Sequence, residues 1–259
     1  MTQYEQLRDS LRAGEAVALA TVVAGPNIGA KLLVWPGRAA EGSLGNDDLD
    51  RVVARDALGE LESGITSTRH YGVHGEAREE DVTVFIESFV LPPRLIIFGA
   101  VDFTAALTRV AKVLGYRVTV CDARAVFATV QRFPRADEVV NDWPDRYLAK
   151  VGDELGPRDA VCVLTHDHKF DVPAIAAAVK TNVGYLGAMG SRRTHGGRVE
   201  RLREHGLTDA DIARVMSPIG LDVGARTPEE TAVAICAEII ALRTGRRGPS
   251  LRDTSGPIH

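Results

Sequence analysis

Several features that would assign a protein to a class at once are scarce or missing here. The 259 residues include three cysteines, at 121, 162 and 236. Their wide spacing excludes a disulfide framework and a Cys-x-x-Cys metal site, and it fits a reducing compartment. There is no excess of positive charge: 31 Lys and Arg stand against 35 Asp and Glu, for a net charge of −4. A general binder of nucleic acid or of anionic membranes would show a basic total instead. No apolar run approaches the length that crosses a bilayer. The opening "MTQYEQLRDSLRAGE" is charged and has no apolar core, so no signal peptide is expected. Internal repeats and low-complexity segments are absent too. The expectation is a soluble cytoplasmic protein.

A further absence concerns "LIIFGAVDFTAALTRVAKVLGYRVTVCDAR". The stretch opens as a dinucleotide-binding unit does, with an apolar strand 95–98, Gly99, a helical pattern over 103–114 and a second strand ending at Asp122. The Gly-x-Gly-x-x-Gly fingerprint needs a second glycine for the pyrophosphate and a third for close packing of helix on strand. Val101 and Thr104 stand in those places. Asp102, at the helix start, is expected to satisfy the free N–H groups that otherwise attract a phosphate, and to repel one. On the other side of the balance, Asp122 falls near the position of a ribose-binding acid, and Arg124 is placed to meet a 2′-phosphate. NAD(P) binding in the ordinary pose is therefore the weaker expectation.

What is present is ordinary globular material, 45% hydrophobic and 25% charged. "LPPR" at 91–94 divides it. Residues 1–90 read as a small α+β domain, with helices in "YEQLRDSLRAG" (Leu7 and Leu11 on one face) and "DDLDRVVARDALGELESG" and strands in "AVALATVVA", "KLLVW" and "DVTVFIESFV". Residues 95–245 alternate short, continuously apolar strands with helices, the pattern of a Rossmann-like, doubly wound α/β domain with a parallel sheet. Its last helix starts at Thr227-Pro-Glu-Glu230, a capping box with Pro at the first position. Cys236 is expected to pack there with Ala232, Val233, Ile239 and Ile240. Residues 246–259 read as a mobile tail.

Two loops in this half carry candidate ligand contacts. "VLTHDHKFD" places Thr165, His166 and Asp167 at the carboxyl end of a buried strand, where ligands of open α/β sheets bind. Alternating His166 and His168 in a loop do not converge on one ion, so no metal site is assigned. "GAMGSRRTHGG" runs from a strand into a helix, with Gly190 and Ser191 in the turn and Arg192 and Arg193 in the first helical turn. Cations there oppose the helix dipole, which suits a bound phosphate, and the competing reading is that both are solvated surface charge. The cysteines are expected to be core, with no histidine partner for a nucleophile. No residue is assigned a catalytic role.

Taken in order, "GAVDFTAALTRVAKVLGYRVTVCDARAVFATVQRFPRADEVV", "VLTHDHKFDVP", "YLGAMGSRRT" and "GARTPEETAVAICAEIIA" resemble the C-terminal Rossmann domain of the XdhC/CoxI family, in an actinobacterial-type form. "GEAVALATVV" and "GAKLLVWPGRAAEGSLGNDDLDRVV" are similar to its small N-terminal domain. The resemblance implies an accessory factor, not catalytic by itself. Such a factor binds molybdenum cofactor (molybdopterin) as cargo, supports its sulfuration with a cysteine desulfurase, and inserts it into an apo-molybdoenzyme of the xanthine dehydrogenase or CO dehydrogenase type. The contacts expected to hold it are Gly99, Asp102, Asp122, Arg124, Thr165, His166, Asp167, Gly190, Ser191, Arg192 and Arg193. The family's N-terminal domain usually carries "GGC" and "CGG" motifs; the matching stretches here read "EGSLGNDDLD" and "HGEAREEDVTVF", without cysteine. Two other readings stay open, an NAD(P)-dependent oxidoreductase and a ligand-free regulatory or interaction homologue. A homodimer contact through the surface helices stays open as well.

Overall fold

The computed structural model describes residues 2–77, 79–165 and 167–255, without the side chain of Arg192. The chain forms two compact units that divide after Leu91.

The first unit is a five-stranded antiparallel sheet in the order β3-β2-β1-β5-β4, made of β1 (Val17–Ala24), β2 (Lys31–Val34), β3 (Glu41–Ser43), β4 (Ser67–Tyr71) and β5 (Val82–Phe89). Period-two alternation separates its faces. Ala18, Ala20 and Val22 of β1 share a core with Leu49, Val53, Ala57 and Leu61 of α2 (Asp47–Ser63). Val17, Leu33 and Trp35 form a second cluster with Leu7 of α1 (Gln3–Ala13). Leu11, expected on the same face as Leu7, is exposed instead. β3 and β4 are edge strands whose polar sequences, "EGS" and "STRHY", carry little strand signal; register with β2 and β5 makes them strands.

The second unit is a parallel six-stranded sheet in the order β11-β10-β9-β6-β7-β8. Its strands are β6 (Arg94–Phe98), β7 (Arg117–Cys121), β8 (Glu138–Val140), β9 (Ala160–Val163), β10 (Tyr185–Ala188) and β11 (Val215–Met216). The connecting helices are α3 (Asp102–Val113), α4 (Pro144–Val151), α5 (His168–Ala178), α6 (Arg192–Glu204), α7 (Asp209–Ala213) and α8 (Pro228–Arg243). The central strands are apolar along most of their length because both faces are covered, with charge only at strand starts such as Arg94, Arg117 and Glu138. Leu95, Ile97, Val118, Val120 and Cys162 meet Leu107 of α3 and Ile235 and Cys236 of α8 on one side. Ile96, Phe98, Val161 and Val163 meet Leu148 of α4, Ile175 of α5 and Leu202 of α6 on the other. This is the doubly wound Rossmann architecture. In α8 the inward face is Ala232, Ile235, Cys236 and Ile239, while Val233 and Ile240, expected beside Cys236, turn outward.

The strand order reverses between β6 and β9, which makes their carboxyl ends the switch point. There the two loops touch. Gly99 has φ of 113°, and a Cβ on it would lie 2.7 Å from Thr165 Cγ2 and 3.0 Å from Thr165 N. Only glycine takes that backbone conformation against that neighbour without strain. Gly99→Ala is expected to destabilise the protein by about 2 kcal/mol or more. A chemical denaturation midpoint unchanged from the parent would contradict this close approach.

Candidate functional site

The carboxyl ends of β6, β7, β9 and β10 each contribute to the site. After β6, Ala100 donates its N–H to Asp122 Oδ2 at 2.7 Å, and Val101 forms the N-cap of α3 without a side-chain hydrogen bond. Asp102 corrects an expectation. Its side chain is 93% exposed and nearest to Arg132 at 4.0 Å, so it does not cap the free N–H groups of α3. Thr104 is buried, and its hydroxyl donates to the Gly99 carbonyl, so the extra bulk at the third glycine position becomes a hydrogen bond. Val101 packs against the core cluster under α3.

Asp122 sits where a ribose-binding acid belongs, yet its carboxylate is buried and committed inside the chain. Oδ1 accepts from Arg124 N and Nε, both at 2.9 Å, and Oδ2 accepts from Ala100 N and from Arg124 Nη2 at 2.8 Å. Burial opposes its charge, but these bonds outweigh it and hold the pKa below the ordinary value. Arg124 is drawn to Asp122, with the guanidinium carbon 4.5 Å from the centre of the Phe127 ring. A ribose diol would have to displace an internal ion pair, and a 2′-phosphate would have to compete with Asp122 for Arg124. In this arrangement the groups expected to meet a ribose and a 2′-phosphate are bonded to each other.

After β9, Thr165 is buried and its hydroxyl donates to Asp171 Oδ1. His166 lies outside the described residues. Asp167 is the N-cap of α5, accepting from Lys169 N at 3.0 Å. After β10, Gly190 has φ of 152°, and Ser191 caps α6 by accepting from Thr194 N at 3.1 Å. Arg193 is exposed in the first turn, and α6 has no acidic residue there. The Arg192 side chain is outside the description.

Sequence reasoning missed the pair that joins these loops. Arg198, on α6, and Asp171, on α5, have side chains 3% and 4% exposed and meet at 3.0 Å. Arg198 also donates to the Met189 carbonyl at 2.6 Å and to Ser217 Oγ at 3.0 Å. One chain of contacts thus runs from Gly99 through Thr165, Asp171 and Arg198 to the end of β10. The signal in the sequence was slight: an Asp and an Arg 27 residues apart on two helices, Asp171 at the end of the "VLTHDHKFD" stretch and Arg198 just past "GAMGSRRTHGG". His195, one turn into α6, has Nδ1 shut from solvent with no hydrogen-bond partner among the described residues. Burial, then the charge of Arg198, lowers its pKa below the ordinary histidine value.

In the first unit, the two stretches without the family's cysteines come together. Asn46 Oδ1 caps α2 by accepting from Asp48 N and Leu49 N, which leaves Nδ2 to meet His74 Nδ1 at 2.9 Å. The fixed amide makes Nδ1 the acceptor, so neutral His74 carries its proton on Nε2. Both residues line a cavity of about 190 Å³ floored by Leu44, Leu49 and Val82. No group of three or more His, Cys, Asp or Glu is placed to hold a metal among the described residues. Cys121, Cys162 and Cys236 are buried. Burial pushes the thiols of Cys121 and Cys236 up to about 12 and about 11, and that of Cys162 well above its ordinary value. No described helix is long and apolar enough to cross a membrane.

The fold and site define a Rossmann-type domain in which the acid at the end of β7 is bonded inside the chain. Residues 95–239 match the XdhC Rossmann domain, and residues 10–72 match the XdhC and CoxI family. The chain belongs to the XdhC/CoxI family. It is 33% identical over 165 residues to a probable xanthine dehydrogenase subunit of Bacillus subtilis, covering 64% of this chain and 47% of that one. It is 31% identical over 99 residues to the molybdenum cofactor insertion chaperone PaoD of Escherichia coli, covering 38% of this chain and 31% of that one. A crystal structure described as a xanthine dehydrogenase from Bacillus halodurans superposes with a TM-score of 0.67 at 25% identity, covering 93% of this chain and 66% of that one. The chain thus spans less than half the length of these curated relatives.

Two outcomes follow from the buried charges. Arg198→Met takes the guanidinium away from the buried Asp171 carboxylate and is expected to cost about 3–5 kcal/mol, with Asp171→Leu added in the same chain less damaging than the single change. Equal midpoints for the single variant and the parent would overturn this. Asp122, with a depressed folded pKa, contributes stability that is complete above its unfolded value of about 4 and is lost as pH falls through the lower folded value. Asp122→Asn is expected to flatten the dependence of stability on pH in that acidic window, as read by urea midpoints.

Proposed function

We propose that this chain is a maturation factor for a molybdoenzyme of the xanthine dehydrogenase or CO dehydrogenase type. It holds molybdenum cofactor as cargo, presents it for sulfuration by a cysteine desulfurase, and passes it to the apo-enzyme in the cytoplasm. The observation that carries this reading is a Rossmann domain of the XdhC family in which Asp122 is sealed by Ala100 N–H and Arg124. The fold is retained while the means of gripping a dinucleotide ribose are used internally. The insertion role named for the relative PaoD supports the same conclusion.

The donor set favours a grip on the organic part of the cargo. A thiolate bond to molybdenum needs an accessible, ionisable cysteine, and all three thiols here are buried with raised pKa values. The phosphate-bearing tail has better partners. The N-terminus of α3 has no side-chain cap, although the exposed Asp102 carboxylate stands in its first turn. The N-terminus of α6 offers backbone N–H groups beside Ser191, with Arg192 and Arg193 in a first turn free of acids. Gly99 and Thr165 form the floor between β6 and β9. An NAD(P)-dependent oxidoreductase keeps the fold in its favour and little else.

The test is to purify the chain from cells that make the cofactor, then measure molybdenum and fluorescent pterin after oxidation, with NADPH titrated in parallel. Pterin near one per chain is the expected result. NADPH saturation without pterin would transfer the protein to the oxidoreductases, and neither ligand would leave an interaction homologue. Arg192→Ala is expected to weaken cofactor retention by about 1.5–3 kcal/mol, as for a hydrogen bond to a charged group. Unchanged retention would remove the phosphate from the start of α6.

A further inference from the structure

The segment between β7 and β8 is long for a loop in a compact α/β domain, and loops of that length with no secondary structure of their own are usually functional or disordered. Its residues 123–135 contain Arg124, Arg132 and Arg135 and no Asp or Glu, in a chain whose net charge is −4. Phe127 is 39% exposed, and Val126 and Val130 beside it are 81% and 65% exposed. Burial in the core explains Phe133 and Phe170 but not these three.

Three separate segments bring cations and aromatic rings together at this edge of the sheet. From the loop, the Arg124 guanidinium lies 4.5 Å from the Phe127 ring centre and 5.8 Å from that of Phe170. From the first turn of α5, Lys169 Nζ lies 5.6 Å from Phe170 and 5.1 Å from Trp143. Trp143 is the N-cap of α4, and its ring centre is 5.1 Å from that of Phe170. Asp167, close enough to raise the Arg124 pKa, is occupied in capping α5. The plane of Arg124 is fixed, because Nε and Nη2 both donate to Asp122. The same carboxylate takes the Ala100 N–H, so the cluster adjoins the uncapped N-terminal turn of α3.

We infer that Arg124, Phe127, Trp143 and Lys169, backed by the buried Phe170, form a stacking platform for a planar heteroaromatic ring that carries a phosphate. Aromatic faces hold a flat ring by stacking, guanidinium and ammonium groups favour one that is electron-rich or joined to an anion, and the start of α3 lies beside them for the phosphate. The inference deepens the cofactor-carrier reading and rests on it for the ring being a pterin; a nucleobase shares the chemistry.

The full chain would be titrated into neopterin monophosphate, with affinity read from pterin fluorescence polarisation and stacking from quenching of tryptophan emission. Quenching is expected in the parent and lost in Trp143→Phe, which keeps a ring and hence most of the affinity. Phe127→Ala and Lys169→Gln alter exposed side chains, and each is expected to weaken binding about tenfold, the scale of one lost stacking contact. Displacement by AMP supports a platform for any heteroaromatic phosphate, and failure of AMP to displace supports one selective for pterin. Displacement by inorganic phosphate at the same concentration as the pterin phosphate overturns the inference, since the ring would then add nothing. Molybdenum cofactor retained at parental level by the Phe127→Ala/Lys169→Gln chain overturns the platform and leaves the carrier reading standing. Quenching by the pterin phosphate in a chain that carries no molybdenum cofactor does the reverse.

Discussion

A carboxylate and a guanidinium taken out of water at the carboxyl edge of the parallel sheet, Asp171 and Arg198, set the constraint that the surrounding loops obey. Each charge carries a desolvation cost that is met only if its remaining polar atoms also find partners. Asp171 therefore takes the Thr165 hydroxyl, and Arg198 takes the Met189 carbonyl and Ser217 Oγ. These partners lie at the end of β9, the end of β10 and the segment after β11. One pair thereby fixes three pieces of chain at the edge where an open α/β sheet binds its ligand. Gly99 completes the arrangement, since the β6 loop can lie against Thr165 only where no Cβ intervenes.

Asp122 applies the same logic to a different end. An acid at the end of the second strand of a Rossmann unit ordinarily faces outward to a ribose. Here Arg124, two residues on, bonds it through side chain and backbone, and Ala100 closes the remaining side. The pair braces the end of β7 and aligns Arg124 with Phe127 and Phe170. A domain can thus keep its dinucleotide-type topology while the acid at the end of its second strand is bonded inside the chain. All three cysteines are buried, so none presents a thiol at this edge of the sheet.

Much of this was legible from the chain alone. Continuous apolar strands between amphipathic helices specify a sheet covered on both faces, and the box at Thr227–Glu230 marks the start of α8 without ambiguity. The edge strands β3 and β4 were not legible, since "EGS" and "STRHY" have no alternating apolar pattern and become strands only by pairing with β2 and β5. Asp102 misled for a physical reason: an acid at a helix start can cap or can face solvent, and only the path of the preceding residues decides. Asn46 and His74 were equally opaque, lying 28 residues apart and meeting through a locked N-cap amide.

By itself, then, the sequence determined the doubly wound domain, the smaller α+β unit before it, the core placement of the cysteines and the loops that line the switch point. Local periodicity, capping chemistry and proline breaks are short-range properties and can be read along a chain. Tertiary structure alone decided that Asp122 faces inward, that Asp171 and Arg198 pair, and that cations settle on Phe127, Trp143 and Phe170. Each of those is a choice of partner for a polar or aromatic group, and when partners lie on different elements only the packing of those elements brings them within reach.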